Sequence, residues 1–324
     1  ETEPCGWKKK PLGGLARKAT VIDNLRAQGF DVLILDAGNL LFKKESLGPG
    51  TPIEVGKLTA EIIINSFNQI GCHAFSPGSK DFAAGLKFIQ EMQMLANFPF
   101  ISANITDING NRLFDPYIIV DIQGVSVGII GIASKFIHPD IFIQDPIESL
   151  SNIIADVNNQ SDFVVLMFDS DEADLSKLQN TSHPIDLVIR SKSKTRSQDG
   201  GNKKIPTYSC GDRGKYLYQF DINITNSNYE FIDLALHENK ISRAEKQLNR
   251  MRKGNLMTDL KSMYKDDPQS LRKIDTYESQ IQSAQKFISQ KNINTILTSK
   301  HELGKSITDR PDVLKIVDRG KKNI

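Results

Sequence analysis

Asp31-Val-Leu-Ile-Leu-Asp-Ala-Gly-Asn39 runs an unbroken apolar stretch into a corner built of aspartate, glycine and asparagine. An apolar run without alternation reads as a strand covered on both faces, and such strands belong to sheets flanked by helices. Working outward, residues 15 to 28 have the pattern of a helix ended by Gly29. The unit then repeats. Residues 55 to 70 read as a helix closed by Gly71 and followed by Ala74-Phe-Ser76, and residues 82 to 96 as a helix before the strand Phe100-Ile-Ser-Ala103. Residues 117 to 121 and 125 to 132 flank Gln123-Gly124, where glycine supplies the positive φ of a tight hairpin turn. Phe163-Val-Val-Leu-Met-Phe168 and Asp186-Leu-Val-Ile189 add two more buried strands, and residues 216 to 224 alternate like a strand with one wet face. The expected fold is α/β: a layered sandwich of mixed sheets flanked by helices.

The chain has 324 residues, more than one average domain, so a large domain with an appendage is expected. A formal net charge of +2 gives no reason to propose a nucleic-acid or membrane-surface partner. Cys5, Cys72 and Cys210 lie too far apart for a paired zinc motif or a disulfide framework. No apolar run reaches the roughly 18 to 20 residues of a membrane helix. Residues 1 to 10 carry no apolar leader core, which implies an export signal removed or lying outside this chain.

Composition shifts near His237. Ile241, Ala244, Leu248 and Met251, then Leu256, Leu260 and Met263, recur at helical spacing; Asp266-Asp267-Pro268 interrupts it; Leu271, Ile274, Tyr277, Ile281, Ala284 and Ile288 resume it. This predicts a C-terminal helical hairpin, and a division into an α/β domain over 1–236 and a helical arm and tail over 237–324. Such an arm serves as a solvated support, or for partner binding or homo-oligomer formation.

In α/β sheets chemistry collects beyond the carboxyl ends of the strands. Four corners follow buried runs here: Asp36-Ala-Gly-Asn39, Pro77-Gly-Ser-Lys-Asp81, Asp169-Ser-Asp171 and Arg190-Ser-Lys-Ser-Lys-Thr195. Read alone, they combine aspartates, lysines and glycine-bearing backbone of a kind that suits an anion. Their order adds more. Gly13-Gly-Leu-Ala-Arg-Lys-Ala-Thr20 followed by Leu33-Ile-Leu-Asp-Ala-Gly38 resembles the bacterial 5'-nucleotidase branch of the calcineurin-like metallophosphoesterases. Asp81-Phe82 with Gly85-Leu86, Phe98-Pro-Phe-Ile-Ser-Ala-Asn104, Val127-Gly-Ile-Ile-Gly-Ile132 and Gly214-Lys-Tyr-Leu217 agree in the same order, so the resemblance covers residues 11 to 225.

That family uses two metal ions roughly 3.5 to 4 Å apart to activate water and clamp a phosphoryl group. The resemblance implies ligands at each corner, and this sequence departs from them. Asn39 stands where the bridging aspartate of the Gly-Asp motif belongs. Gly78-Ser79-Lys80-Asp81 replaces Gly-Asn-His-Glu/Asp, so Ser79 and Lys80 stand for the metal-binding asparagine and the histidine. Asp169 replaces a histidine, and Ser191-Lys192-Ser193-Lys194 replaces Gly-His-x-His. A lysine ammonium has three donors and no acceptor and binds no metal until it loses a proton with a reference pKa of about 10.4. The opening Asp-x-His motif has no counterpart between Glu1 and Pro11, and the five histidines are scattered.

These departures predict a degenerate site with no catalytic residues and no metal cofactor. Mn or Zn on Asp36, Asn39, Asp81 and Asp169 is the arrangement of an active alternative. Lys80, Lys192 and Lys194 become internal counter-ions to Asp36, Asp81 and Asp169, or an anion-binding set, or stay solvated. Cys5 and Trp7 beside Gly13-Gly14 form either a ligand-facing loop or an exposed terminal segment. By resemblance the expected role is that of a binding or scaffolding subunit in an extracytoplasmic assembly, periplasmic or cell-surface. The expected partner is a protein, a multihaem cytochrome or other envelope protein.

Overall fold

The computed structural model describes residues 2–5, 11–48, 52–201, 204–226, 229–253, 259–290 and 293–322. Trp7 and Leu256 lie outside the described residues. The chain divides into two compact units, one of residues 1–197, 203–218 and 300–324, the other of residues 198–202 and 219–299.

A five-stranded sheet organises the first unit, in the order Thr207–Tyr208, Leu187–Ser191, Phe163–Asp169, Val125–Ala133, Tyr117–Ile122. Its first four strands are parallel and the last is antiparallel. Phe163–Asp169 is buried along its whole length, as its unbroken apolar run requires. The antiparallel pair is the expected hairpin, with Gln123 and Gly124 at φ 54° and 81°. Leu150, Ile154, Val157, Leu175 and Leu178 cover this sheet with a helical layer.

Leu35–Asp36 pairs in parallel with Ala74–Phe75, and Phe75 bridges to Phe100. Only two residues of the apolar run 31–36 are in a strand, and residues 100 and 101 form isolated bridges; these edges are shorter than their hydrophobicity predicts. The helices Leu15–Ala27, Ile53–Ile70 and Leu86–Leu95 bury their apolar stripes in a core of Ile22, Ile64, Phe67, Phe75, Phe82 and Phe100. Phe75 meets Phe100 edge to face at 4.8 Å, a geometry that aromatic rings favour.

The second unit contains the expected helical hairpin. Leu234–Met251 packs on Pro268–Ile288 around Leu248, Leu260 and Ile274. Asp267 caps the second helix by accepting from the backbone N–H of Gln269 and Ser270, and Pro268 stands in the first turn, where its missing N–H costs nothing. Phe231–Asp233 pairs in parallel with the start of the strand Asn294–Glu302.

The units do not follow the expected 1–236 and 237–324. The helix Pro311–Lys322 belongs to the first unit, where Val313 and Val317 are fully buried. It fits Ile53–Ile70 so closely that a Cβ on Gly320 would come within 2.2 Å of Ile62. Before it, Arg310 donates from Nη1 to both carboxylate oxygens of Asp23 at 3.0 Å and from Nη2 to the Gln69 carbonyl at 2.6 Å. Charged residues crowd the sequence here, and only the partners in the fold reveal that Val313 and Val317 face a core.

Candidate functional site: a buried polar corner

The Asp36, Pro77 to Asp81 and Asp169 corners do converge. Asp36 and Asp169 end their strands, and Gly78 leads into the short turn Ser79–Phe82. Gly38, at φ 106°, lets the chain pass so near that a Cβ there would lie 2.5 Å from the Ser76 carbonyl oxygen. At Gly78 a Cβ would lie 2.7 Å from Asp169 Cγ. Both glycines are required by close approach.

Asp81 is fully buried and accepts three backbone N–H groups: Leu41 on Oδ1 at 2.8 Å, and Asn39 and Gly78 on Oδ2 at 2.7 and 2.8 Å. Asp169 is equally buried. Its Oδ1 accepts from Asn39 Nδ2 at 2.5 Å and from the Ser191 hydroxyl at 2.9 Å, and its Oδ2 from the Ser79 N–H at 3.0 Å. Asn39, at φ 57°, completes the link by accepting the Lys80 N–H on Oδ1 at 3.0 Å. Asparagine tolerates that left-handed backbone better than most residues. Ser79 donates its hydroxyl to Glu45 at 2.8 Å.

Burial pushes the Asp81 carboxyl up to about 7, against the pull of its three N–H donors and with a small upward push from Asp36. Burial also raises Asp36, opposed by Lys18 and by the Gly38 N–H. These shifts follow from desolvation of the charged form.

The lysines behave otherwise than as counter-ions. Lys80 and Lys192 are half-buried and Lys194 is exposed, and none of the three ammonium groups makes an ion pair among the described residues. Neutral donors, an amide, a hydroxyl and backbone N–H groups, do the work expected of cations. Lys192 lies at φ 62°, an uncommon conformation for a long side chain. His73 accepts the Ile34 N–H on Nδ1 at 3.0 Å and serves the fold.

These donors do not fit a two-ion centre. The aspartate oxygens are committed to internal hydrogen bonds, and among the described residues no group of three or more His, Cys, Asp and Glu is arranged to hold a metal ion. Glu45 completes the corner from outside the four sequence corners, and Ser191, within the fourth, does so through its hydroxyl and not as a metal-ligand position. Serine at the end of a strand and glutamate in an irregular loop give no local pattern to read. Cys5 sits in the pair Pro4–Cys5 with Leu12–Gly13, in a short antiparallel ladder.

The comparisons with known proteins agree with this architecture. No family model matches the chain. A 5'-nucleotidase of Vibrio cholerae is 34% identical over 160 residues, 45% of this chain and 28% of the relative. Protein UshA of Salmonella pullorum is 30% identical over 158 residues, 45% of this chain and 27% of that protein. The crystal structure of the calcineurin-like phosphoesterase YfkN from Bacillus subtilis superposes with a TM-score of 0.62 at 17% identity, covering 96% of this chain and 89% of that one.

Over 45% of its length the chain is similar to bacterial 5'-nucleotidases, and its fold is that of a calcineurin-like phosphoesterase.

The match spans little more than a quarter of the length of these curated relatives. One expectation is overturned by them. The 5'-nucleotidases that the chain resembles are metal-dependent, so the expected absence of a cofactor does not stand. What the geometry adds is local: in the described corner, Asp81 and Asp169 are held by protein donors.

Proposed function

We propose that this nucleotidase-like domain performs no phosphoryl transfer at its ancestral corner and acts as a binding or scaffolding subunit of an extracytoplasmic assembly. One observation carries the reading. Asn39 links Asp169 to the Lys80 backbone through both ends of its amide, at 2.5 and 3.0 Å. Two-ion catalysis needs carboxylates that bridge and polarise, and a neutral amide in that position offers one weak acceptor while its N–H group occupies an aspartate oxygen. Lys192 and Lys194, on the loop where the family's histidine pair belongs, support the same reading. Among the described residues no helix is long and apolar enough to span a membrane. In the helical unit Met263, Phe287 and Ile288 remain more than a third exposed, supporting a role for the hairpin in association with a protein partner.

The test is hydrolysis of a panel of 5'-nucleotides and a generic phosphodiester in Mn, Zn and Co. The expected result is no turnover above that of an Asp36→Ala variant. Turnover that Asp36→Ala abolishes overturns the proposal and establishes a phosphoesterase with an atypical metal site.

A further inference from the structure

Beyond the buried corner, the first unit contains a second concavity of about 190 Å³, lined entirely by polar and charged side chains that include Glu172, Arg190, Arg196, Ser197 and Ser209. It differs from a solvated surface notch in its hydrogen-bond balance. Arg190 is already engaged: Nε and Nη2 donate to the Ser170 carbonyl at 3.0 and 2.9 Å, and Nη1 donates to Glu172 at 2.6 Å. Glu172 is thereby neutralised at the rim. Arg196 is different. Its guanidinium lies 4.0 Å from the centre of the Tyr216 ring, and its Nε is buried without a hydrogen-bond partner.

The two serines have the same bias. Ser197 Oγ accepts the Ser209 N–H at 3.0 Å and Ser209 Oγ accepts the Gly211 N–H at 3.2 Å, so each has an acceptor site filled and an O–H proton still to give. Tyr218 donates its hydroxyl to the Ser197 carbonyl and fixes the loop that presents them. The cavity therefore gathers a guanidinium held rigid by an aromatic face and two hydroxyl donors, with its one carboxylate already paired. A surplus of donors around a small polar cavity matches an oxyanion, and a guanidinium fork matches a tetrahedral one.

We propose that this cavity binds a phosphate-class oxyanion, either inorganic phosphate or the phosphoryl end of a phosphomonoester, with Arg196, Ser197 and Ser209 as its ligands and the already matched Arg190–Glu172 pair as part of its wall. The site is separate from the lysines at 80, 192 and 194 in its ligand set, and it does not depend on whether the domain hydrolyses anything.

Calorimetric titration of the full chain with inorganic phosphate, and in a second arm with a non-hydrolysable nucleoside phosphonate, tests it. Saturable binding in at least one arm is expected, and the tighter arm identifies the source of the phosphoryl group. Loss of one charge-assisted contact in Arg196→Gln should weaken it at least tenfold, since such bonds contribute more than neutral ones. Ser209→Ala guards against a folding defect in the arginine variant and should weaken binding about threefold or more. Lys192→Met together with Lys194→Met should leave affinity within about threefold, allowing for loss of long-range attraction. No saturation in either arm overturns the proposal. So does binding that survives Arg196→Gln and Ser209→Ala, or binding abolished by the lysine pair alone.

Discussion

The buried corner and the Arg196 cavity lie on successive stretches of one chain, yet they use polar groups in opposite ways. At the corner, Asp81 and Asp169 receive six donors between them, all from the protein itself. At the cavity, Arg196 Nε has none to receive its proton and two serine hydroxyls keep theirs. Fully satisfied buried groups hold a fold together, because each left unmatched costs the desolvation it has already suffered. Arg196 Nε, buried beside the cavity and unmatched, bears that cost until a ligand accepts its proton. The comparison teaches that one corner of a fold can match every buried carboxylate oxygen with protein donors while a neighbouring loop keeps donors unmatched.

The comparison breaks most visibly if Asp81 proves dispensable. Asp81→Ala strands three backbone N–H groups inside the protein, and urea unfolding should register a loss of roughly 4 kcal/mol, in the range reserved for broken buried networks. A loss under about 1 kcal/mol would mean that the corner is wetter than its geometry. The same carboxyl should titrate. With its folded pKa raised to about 7 from an ordinary value of 3.8, Asp81 stays protonated in the folded state over a window where the unfolded chain has ionised it. Its contribution to stability is therefore fully present below pH 4 and is lost as pH rises towards 7. The stability difference between the parent and Asp81→Asn should shrink over that interval, and a difference that grows instead would place the folded pKa below the unfolded one.

Gly78→Ala sharpens the comparison from the packing side. The added methyl would meet Asp169 Cγ at 2.7 Å and Asn39 Oδ1 at 3.0 Å, both pinned by hydrogen bonds. Overpacking of a rigid network should cost about 2 to 3 kcal/mol in chemical denaturation. Asn39→Asp asks whether the amide is a structural replacement. It sets a second carboxylate against Asp169 where an N–H now donates at 2.5 Å. At neutral pH the variant should lose about 2 kcal/mol, and most of that should return near pH 4, where one of the pair takes up a proton. Equal loss at both pH values would assign the defect to shape.

Much of the layout is legible in the sequence because the sheet is buried on both faces. Residues 163–168 and 186–189 declare themselves as buried runs, and the corners at their ends follow from the rule that chemistry collects there. The helical hairpin is equally plain, since Asp267-Pro268 punctuates two amphipathic stretches. The helix Pro311–Lys322 is not legible as part of the α/β unit: five of its last eight residues are charged, and only the partners in the fold reveal that Val313 and Val317 face a core. At the site, the identities of the replaced residues can be read, but their partnerships cannot. Lysines among aspartates suggest ion pairs by charge alone, whereas backbone N–H groups, invisible to a pattern of side chains, supply five of the contacts that matter through Leu41, Asn39, Gly78, Ser79 and Lys80. Arg196 does not stand out in the sequence for a similar reason. In Ser191-Lys-Ser-Lys-Thr-Arg-Ser197 it is one cation among three, and its distinction comes from Tyr216, twenty residues on.

The smallest effect concerns the loop that joins the two regions. Lys192 holds φ at 62° just after Ser191 donates to Asp169, and a long side chain there bears a steric cost that glycine does not. Lys192→Gly should relieve that strain and forfeit some unfolded-state restriction, leaving a net gain of about 0.5 kcal/mol in thermal or urea unfolding. Phosphate affinity should stay within about threefold, because only the distant charge of Lys192 bears on the Arg196 cavity. A variant less stable than the parent would show that the lysine side chain has a role at the corner that its geometry does not disclose. One that is more stable but has lost phosphate would show that the loop conformation, set at Lys192, is what holds Arg196 over Tyr216.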